Sequence, residues 1–108
     1  MTAGQRLKGN LDLLLLAVLR DGSRHGYAVI AELRERSGGA FDLPEGTVYP
    51  ALHRLEAAGL VASGWRAAEG RRRREYRLTA AGQAALREER AGWRRFVTGV
   101  DAVLGAAG

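Results

Sequence analysis

Apolar residues recur at helical spacing in four stretches of this chain and alternate in one, and their order predicts its architecture. Leu11, Leu14, Leu15, Val18 and Leu19 fall at i, i+3, i+4, i+7 and i+8, one face of a helix capped by Asn10 and running to about Arg20. Leu13, Leu16 and Ala17 fill much of its other side. A helix apolar nearly all round is buried on more than one side, and in so small a domain the second side is expected to meet another subunit. Asp21-Gly22 ends this helix. A second is expected from Gly26 to Arg36, with Tyr27, Ile30, Ala31 and Leu33 as its less polar positions, stopped by Gly38-Gly39 and followed by a loop over residues 40–44. A third begins near Glu45 or Gly46. Val48, Ala51, Leu52 and Leu55 make its buried stripe, and Gly59 is its expected left-handed cap. Pro50 lies early enough to remove one backbone hydrogen bond without breaking the helix.

Residues 60–66 then read as a strand, 67–72 as a turn containing Gly70, and 73–78 as the returning strand. Tyr76 and Leu78 point to one face of it, Glu75 and Arg77 to the other. Thr79 suits the N-cap of a last helix from about Ala80 to about Leu104. Trp93, Phe96, Val97, Val100, Val103 and Leu104 repeat there at spacings of three and four, a stripe of coiled-coil character that outlasts the domain it must cover. The final GAAG is expected to fray. The order helix, helix, helix, strand, strand, helix is mostly α with a small β-hairpin wing, a winged helix-turn-helix with a long C-terminal dimerisation helix. Residues 7–79 would form the winged part and 80–105 the dimerisation helix of one compact unit.

Composition narrows the function. The 108 residues make one domain, too small to enclose a large active site. A net charge of +5 favours polyanions, nucleic acid first. There is no cysteine, hence no disulfide or thiolate metal site. The N-terminal MTAGQRLKGN is polar, so no signal peptide is expected, and the apolar run Leu13 to Leu19 is far short of the about 20 residues of a membrane span. A cytoplasmic protein is the expectation.

The third helix and the hairpin carry the candidate chemistry. Gly46, Tyr49, Pro50, His53 and Ala57 lie opposite the buried stripe, flanked by Thr47 and Arg54. A helix of this kind fits the DNA major groove, about 12 Å wide, with its N-terminus favouring phosphate. Thr47 and Tyr49 offer hydroxyl donors, and His53 and Arg54 reach base edges or phosphates. An outward Tyr beside a Pro in the first turns has no evident structural duty. Arg71, Arg72, Arg73 and Arg74 crowd the expected hairpin tip, with Arg66 and Arg77 close by. Such charges repel one another unless a polyanion relieves them, and they suit backbone phosphate or a narrow minor groove. The rival is a protein-interaction module that uses the same helix and meets an acidic partner with its wing. Catalysis finds no support: His25 and His53 lie on different helices, Glu32, Glu35, Glu88 and Glu89 read as solvated faces, and no nucleophile–base set, phosphate loop, cofactor site or metal site emerges.

GTVYPALHRLEAAGL followed by REYRLTAAG resembles the PadR-type winged-helix transcriptional regulators, as do GNLDLLLLAVL and HGYAVIAEL upstream. The resemblance covers roughly residues 7–105 and is to the family's smaller branch, which lacks an extra C-terminal helical domain. It implies a homodimer on a pseudo-palindromic operator, usually a repressor. Tyr27, Thr47, Tyr49 and the wing arginines would contact DNA, and the long last helix would pack on the partner's first helix. Leu13, Leu16, Trp93, Phe96, Val97, Val100 and Leu104 are then the expected dimer residues. The resemblance also implies a cavity for a flat aromatic effector at the dimer interface, with Trp93 and Phe96 placed to line it. Both would equally serve as plain dimer anchors. Val48 stands where leucine is commoner, and Glu45 disfavours close phosphate approach.

Overall fold

The computed structural model describes Leu7 and residues 9–105; the expectations for the N-terminal segment and for fraying beyond Gly105 lie outside the described residues. The chain runs α1 (Leu11–Leu19), β1 (Arg24–His25), α2 (Gly26–Arg36), α3 (Glu45–Ala57), β2 (Val61–Ala68), β3 (Arg71–Leu78) and α4 (Ala80–Leu104). This is the expected winged helix-turn-helix with a long C-terminal helix. The hairpin packs beside the three-helix core as a sheet of order β1-β3-β2.

α1 supplies Leu15, Leu16, Val18 and Leu19 to the core, while α3 supplies Val48, Ala51, Leu52 and Leu55, the stripe read from the sequence. Leu16 was expected on a partner-facing side. It is 1% exposed within this one chain, because α2, α3, the sheet and α4 between them wrap most of α1. Leu13 is half-buried and remains toward α4. On α2 the buried positions are Gly26, Val29 and Leu33, whereas Tyr27 points out. Asn10 holds the N-cap position of α1, but its side chain makes no capping hydrogen bond; its carbonyl accepts from Leu14 instead.

Two junctions set how the wing and α4 leave the core. Gly59, at φ 79°, closes α3 with Gly59 N–H bonded to the Glu56 carbonyl and Leu60 N–H to that of Leu55, the paired bonds of a Schellman cap. Thr79 then caps α4 by accepting from the Gly82 amide at 3.0 Å while its hydroxyl donates to the Gly59 carbonyl at 2.7 Å.

The hairpin differs from expectation. Its strands pair without interruption from Val61↔Leu78 to Ala68↔Arg71, and the turn shrinks to Glu69 and Gly70. Both have positive φ, 53° and 74°, the mirror-image turn whose twist suits paired strands. Arg71 to Arg74 therefore lie in β3, on alternating faces, instead of at a loop tip. The two-residue strand β1 was not anticipated. It pairs Arg24 with Tyr76 and His25 with Glu75, tying the entry of α2 to the root of the wing.

Candidate nucleic-acid interface

The outward face of α3 and the wing meet around Gly26. A Cβ at Gly26 would lie 2.3 Å from the end of the Tyr49 ring, so this glycine is the seat on which that ring rests. Tyr49 thus has a packing duty that the sequence did not disclose. Its ring meets Tyr27 edge-on, centroids 6.5 Å apart at 81°, and lies 6.5 Å from His53, which stands 6.4 Å from Tyr76. The row runs from Tyr27, 64% exposed, to Tyr76, 1% exposed, and ends in a 3.3 Å hydrogen bond between the Tyr76 hydroxyl and His53 Nε2. It joins the open face of α3 to the core.

The phenols stay protonated. A hydrogen bond to Glu45, assisted by that residue's negative charge, holds the Tyr27 pKa above the ordinary value. Burial, then the Glu45 charge, raises Tyr49, and burial raises Tyr76. Gly46, Thr47 and Pro50 form an exposed shelf at the start of α3, whose N-terminus carries no side-chain cap. Arg54, expected to reach DNA, instead pairs with Asp12 of α1; both side chains are well exposed, so the tie is weak and exchangeable.

The four wing arginines are not equivalent. Arg74 is engaged: its Nε donates to Ser63 at 2.9 Å and its Nη2 lies 3.6 Å from Glu56 of α3. Arg72 stacks over the ring of Trp65 at 5.0 Å, with Arg74 at 5.5 Å. Arg73 faces His25, Nη1 to Nε2, at 3.1 Å. Among the described residues Arg71, Arg72 and Arg73 have no carboxylate partner. Three guanidinium charges therefore remain unneutralised beside a cleft of about 270 Å³ lined by His25, Gly26, Tyr27, Tyr49 and Arg71 to Arg74.

Sequence reasoning passed over His25 and Trp65. The spacing of an N-capping side chain before Gly-Tyr was a usable signal for His25. Trp65 becomes visible only with the correct hairpin register, which sets it opposite Arg74.

At the other end, α4 projects beyond the core. Trp93 is 41% exposed and Phe96 62%, their rings 5.8 Å apart, and Val100, Val103 and Leu104 continue the exposed stripe, with Val97 half-buried beside them. A cleft of about 510 Å³ between α1 and α4 is lined by Asn10, Leu13, Glu88, Glu89, Trp93 and Phe96, among others. Among the described residues no group of three or more His, Asp or Glu is placed to hold a metal ion, and no helix is long and apolar enough to cross a membrane.

Residues 15–88 match the model of the PadR-like transcriptional regulator family. The chain belongs to that family. It is 50% identical over 68 residues to the transcriptional regulator Rv3488 of Mycobacterium tuberculosis, a match covering 63% of this chain and 50% of the relative. The chain thus spans half the length of that protein. A PadR family transcriptional regulator from Eggerthella lenta superposes with a TM-score of 0.81 at 34% identity, covering 93% of this chain and 86% of that one. A transcriptional regulator from Clostridium thermocellum superposes at 0.83 and 26%, covering 91% and 96%. PadR-like membership places the chain among transcriptional regulators and not in an enzyme class.

Proposed function

We propose that this PadR-like chain is a homodimeric, sequence-specific binder of duplex DNA that represses a nearby promoter from a pseudo-palindromic operator. The observation that carries the reading is the adjacency of the open shelf of α3 and the three wing arginines that no carboxylate among the described residues neutralises. Gly46, Thr47 and Pro50 leave the helix start accessible in a major groove, with Tyr49 beside them on its glycine seat. Thr47 and Tyr49 hold hydroxyl donors at its rim, and Tyr27 reaches DNA only by releasing Glu45. Arg71, Arg72 and Arg73 supply backbone neutralisation on the flank, and Arg74 braces the wing against α3. His53 and Arg54 start out engaged, and Arg54 reaches DNA only by exchanging Asp12 for phosphate or base.

Thr47→Ala and Tyr49→Phe each remove one hydroxyl and leave packing intact. Each is expected to weaken operator binding roughly ten- to a hundredfold, the worth of one net hydrogen bond at each of the two half-sites, with an unchanged melting temperature. Anisotropy titrations on duplex from the gene's own upstream region, run against a scrambled duplex at several salt concentrations, measure this. Wild-type affinity in both variants would remove α3 from the recognition role. Salt-independent failure of the wild type to bind any duplex would favour the protein-interaction reading.

The exposed Trp93–Leu104 stripe supports dimerisation through α4 against the partner's α1 and α4, with Leu13 at the margin and Leu16 in the core. The cleft at Trp93 and Phe96 supports a flat aromatic effector that relieves repression. Trp93→Ala is expected to stay dimeric and repressing while losing at least about tenfold in response to such a ligand, since a stacked aromatic contact is worth about 0.5–1.5 kcal/mol beyond its buried area. Full retention of the ligand response would make Trp93 a dimer anchor only.

A further inference from the structure

The cleft at the root of the wing holds a hydrogen-bonding conflict that an anion would resolve. His25 has both ring nitrogens addressed by donors. Its Nδ1 accepts from the Ala28 amide at 3.3 Å as the N-cap of α2, and its Nε2 faces Arg73 Nη1 at 3.1 Å. A neutral imidazole has one acceptor nitrogen and one N–H. The Ala28 bond takes the lone pair of Nδ1, so the proton sits on Nε2 and meets a guanidinium N–H, donor against donor. The other tautomer accepts from Arg73 but turns an N–H toward Ala28 and uncaps α2. Neither tautomer satisfies both neighbours.

The nearby acids do not settle the conflict. Glu75, the strand partner of His25, has its carboxylate 3.6 Å from Arg66. Glu45 is bonded to Tyr27, and Glu56 holds Arg74. Arg71 and Arg73 meanwhile face the same cleft without a carboxylate. A group carrying negative charge and several acceptor oxygens fits there: it accepts from His25 Nε2–H and from Arg73 together, while Nδ1 keeps the Ala28 amide.

We propose that His25 and Arg73 jointly seat one phosphodiester of duplex DNA at each half-site, with His25 donating through Nε2–H beside the arginine charge. This rests on the DNA-binding reading above and deepens it by adding a residue and fixing a contact point. The cleft lies between Tyr49 of α3 and the wing strand β3, where a backbone flanking both would pass. Phosphate on DNA is favoured over an acidic peptide because the cleft is lined jointly by Tyr49 of α3 and the wing arginines, the two elements that the DNA-binding reading sets against one duplex backbone.

The deciding variant is His25→Asn. Asparagine is among the best N-cap residues, so it keeps the Ala28 bond and deletes only the distal donor. The protein is titrated against a duplex recovered by in vitro selection, in which single phosphates are replaced in turn by uncharged methylphosphonate. For the wild type, one position per half-site is expected to weaken binding roughly tenfold, the scale of a charge-assisted contact. His25→Asn, which alters both half-sites of the dimer, should bind the unmodified duplex up to roughly a hundredfold more weakly with an unchanged melting temperature, and should lose sensitivity at that same position. Arg73→Ala should lose sensitivity at that position too, and the double variant should be little worse than either single one. Wild-type affinity and an unaltered methylphosphonate profile in both single variants would overturn this phosphate seat and leave the DNA-binding reading standing. Failure of the wild type itself to bind any duplex would overturn both.

Discussion

Gly82→Ala is expected to lower the melting temperature by roughly 10–25 °C, from an overpacking cost of about 3 kcal/mol and about 4–8 °C per kcal/mol in a domain of this size. A Cβ there would stand 2.0 Å from the Leu60 carbonyl oxygen and 3.0 Å from its carbon. Those atoms cannot step aside cheaply. The Leu60 carbonyl accepts from Thr79 N–H at 3.1 Å, and the Leu60 amide completes the Schellman cap of α3. Moving them opens the cap of one helix and the strand exit that launches another. Gly99→Ala is the matched control: it lies in the same helix, nothing stands within 4 Å of its Cβ, and it should gain about 1 kcal/mol from helix propensity. Circular-dichroism melts of the two variants check the pair. A Gly82→Ala melting point within a few degrees of wild type would show that α4 can shift on the wing without penalty. The contact has functional weight, because it sets the direction in which α4 carries Trp93 and Phe96 away from the core.

Replacing Arg71, Arg72 and Arg73 together by alanine should weaken binding to every duplex and flatten the log–log salt dependence by about 5.4 per dimer, from about 0.9 per neutralised phosphate and three phosphates at each half-site. Arg74→Ala should flatten it far less, because that side chain is already balanced by Glu56 and Ser63. Its loss would instead loosen the wing on α3 and lower stability. Titrations from low to moderate salt separate the two behaviours. Equal slope changes from Arg74 and from each of the other three would refute the division of labour drawn from their partners. An unaltered slope in the triple variant would reduce the wing to a solvated charged strand.

The distinction among those arginines was not legible in the chain. Four identical residues in a row look alike until the strand register is known, and the register depends on a turn that sequence reasoning made six residues long instead of two. Once Glu69 and Gly70 take left-handed conformations, alternation sends Arg72 and Arg74 to the Trp65 face and Arg71 and Arg73 to the other. The same limitation hid the strand at Arg24 and His25, which has too few residues for any periodicity. It also left Tyr49 looking like an unexplained exposed aromatic, because its seat, Gly26, lies on another helix 23 positions earlier.

Local patterns, by contrast, determined a great deal. The stripe Val48, Ala51, Leu52 and Leu55, the left-handed glycine at 59, the threonine cap at 79 and the order of the four helices and the hairpin all follow from interactions spanning a few residues, and the fold places each as expected. Those signals are short-ranged and so survive in a linear reading. Leu16 marks where they stop: apolarity all round α1 announced burial on two sides, but whether a second chain or this chain's own sheet and helices provide the cover is a question of packing. The chain by itself settled the winged-helix architecture, its basic character and its family. Only the tertiary structure decided which charges are already spoken for, because ion pairing, ring stacking and the His25–Arg73 conflict join residues that are neighbours in space and not in sequence.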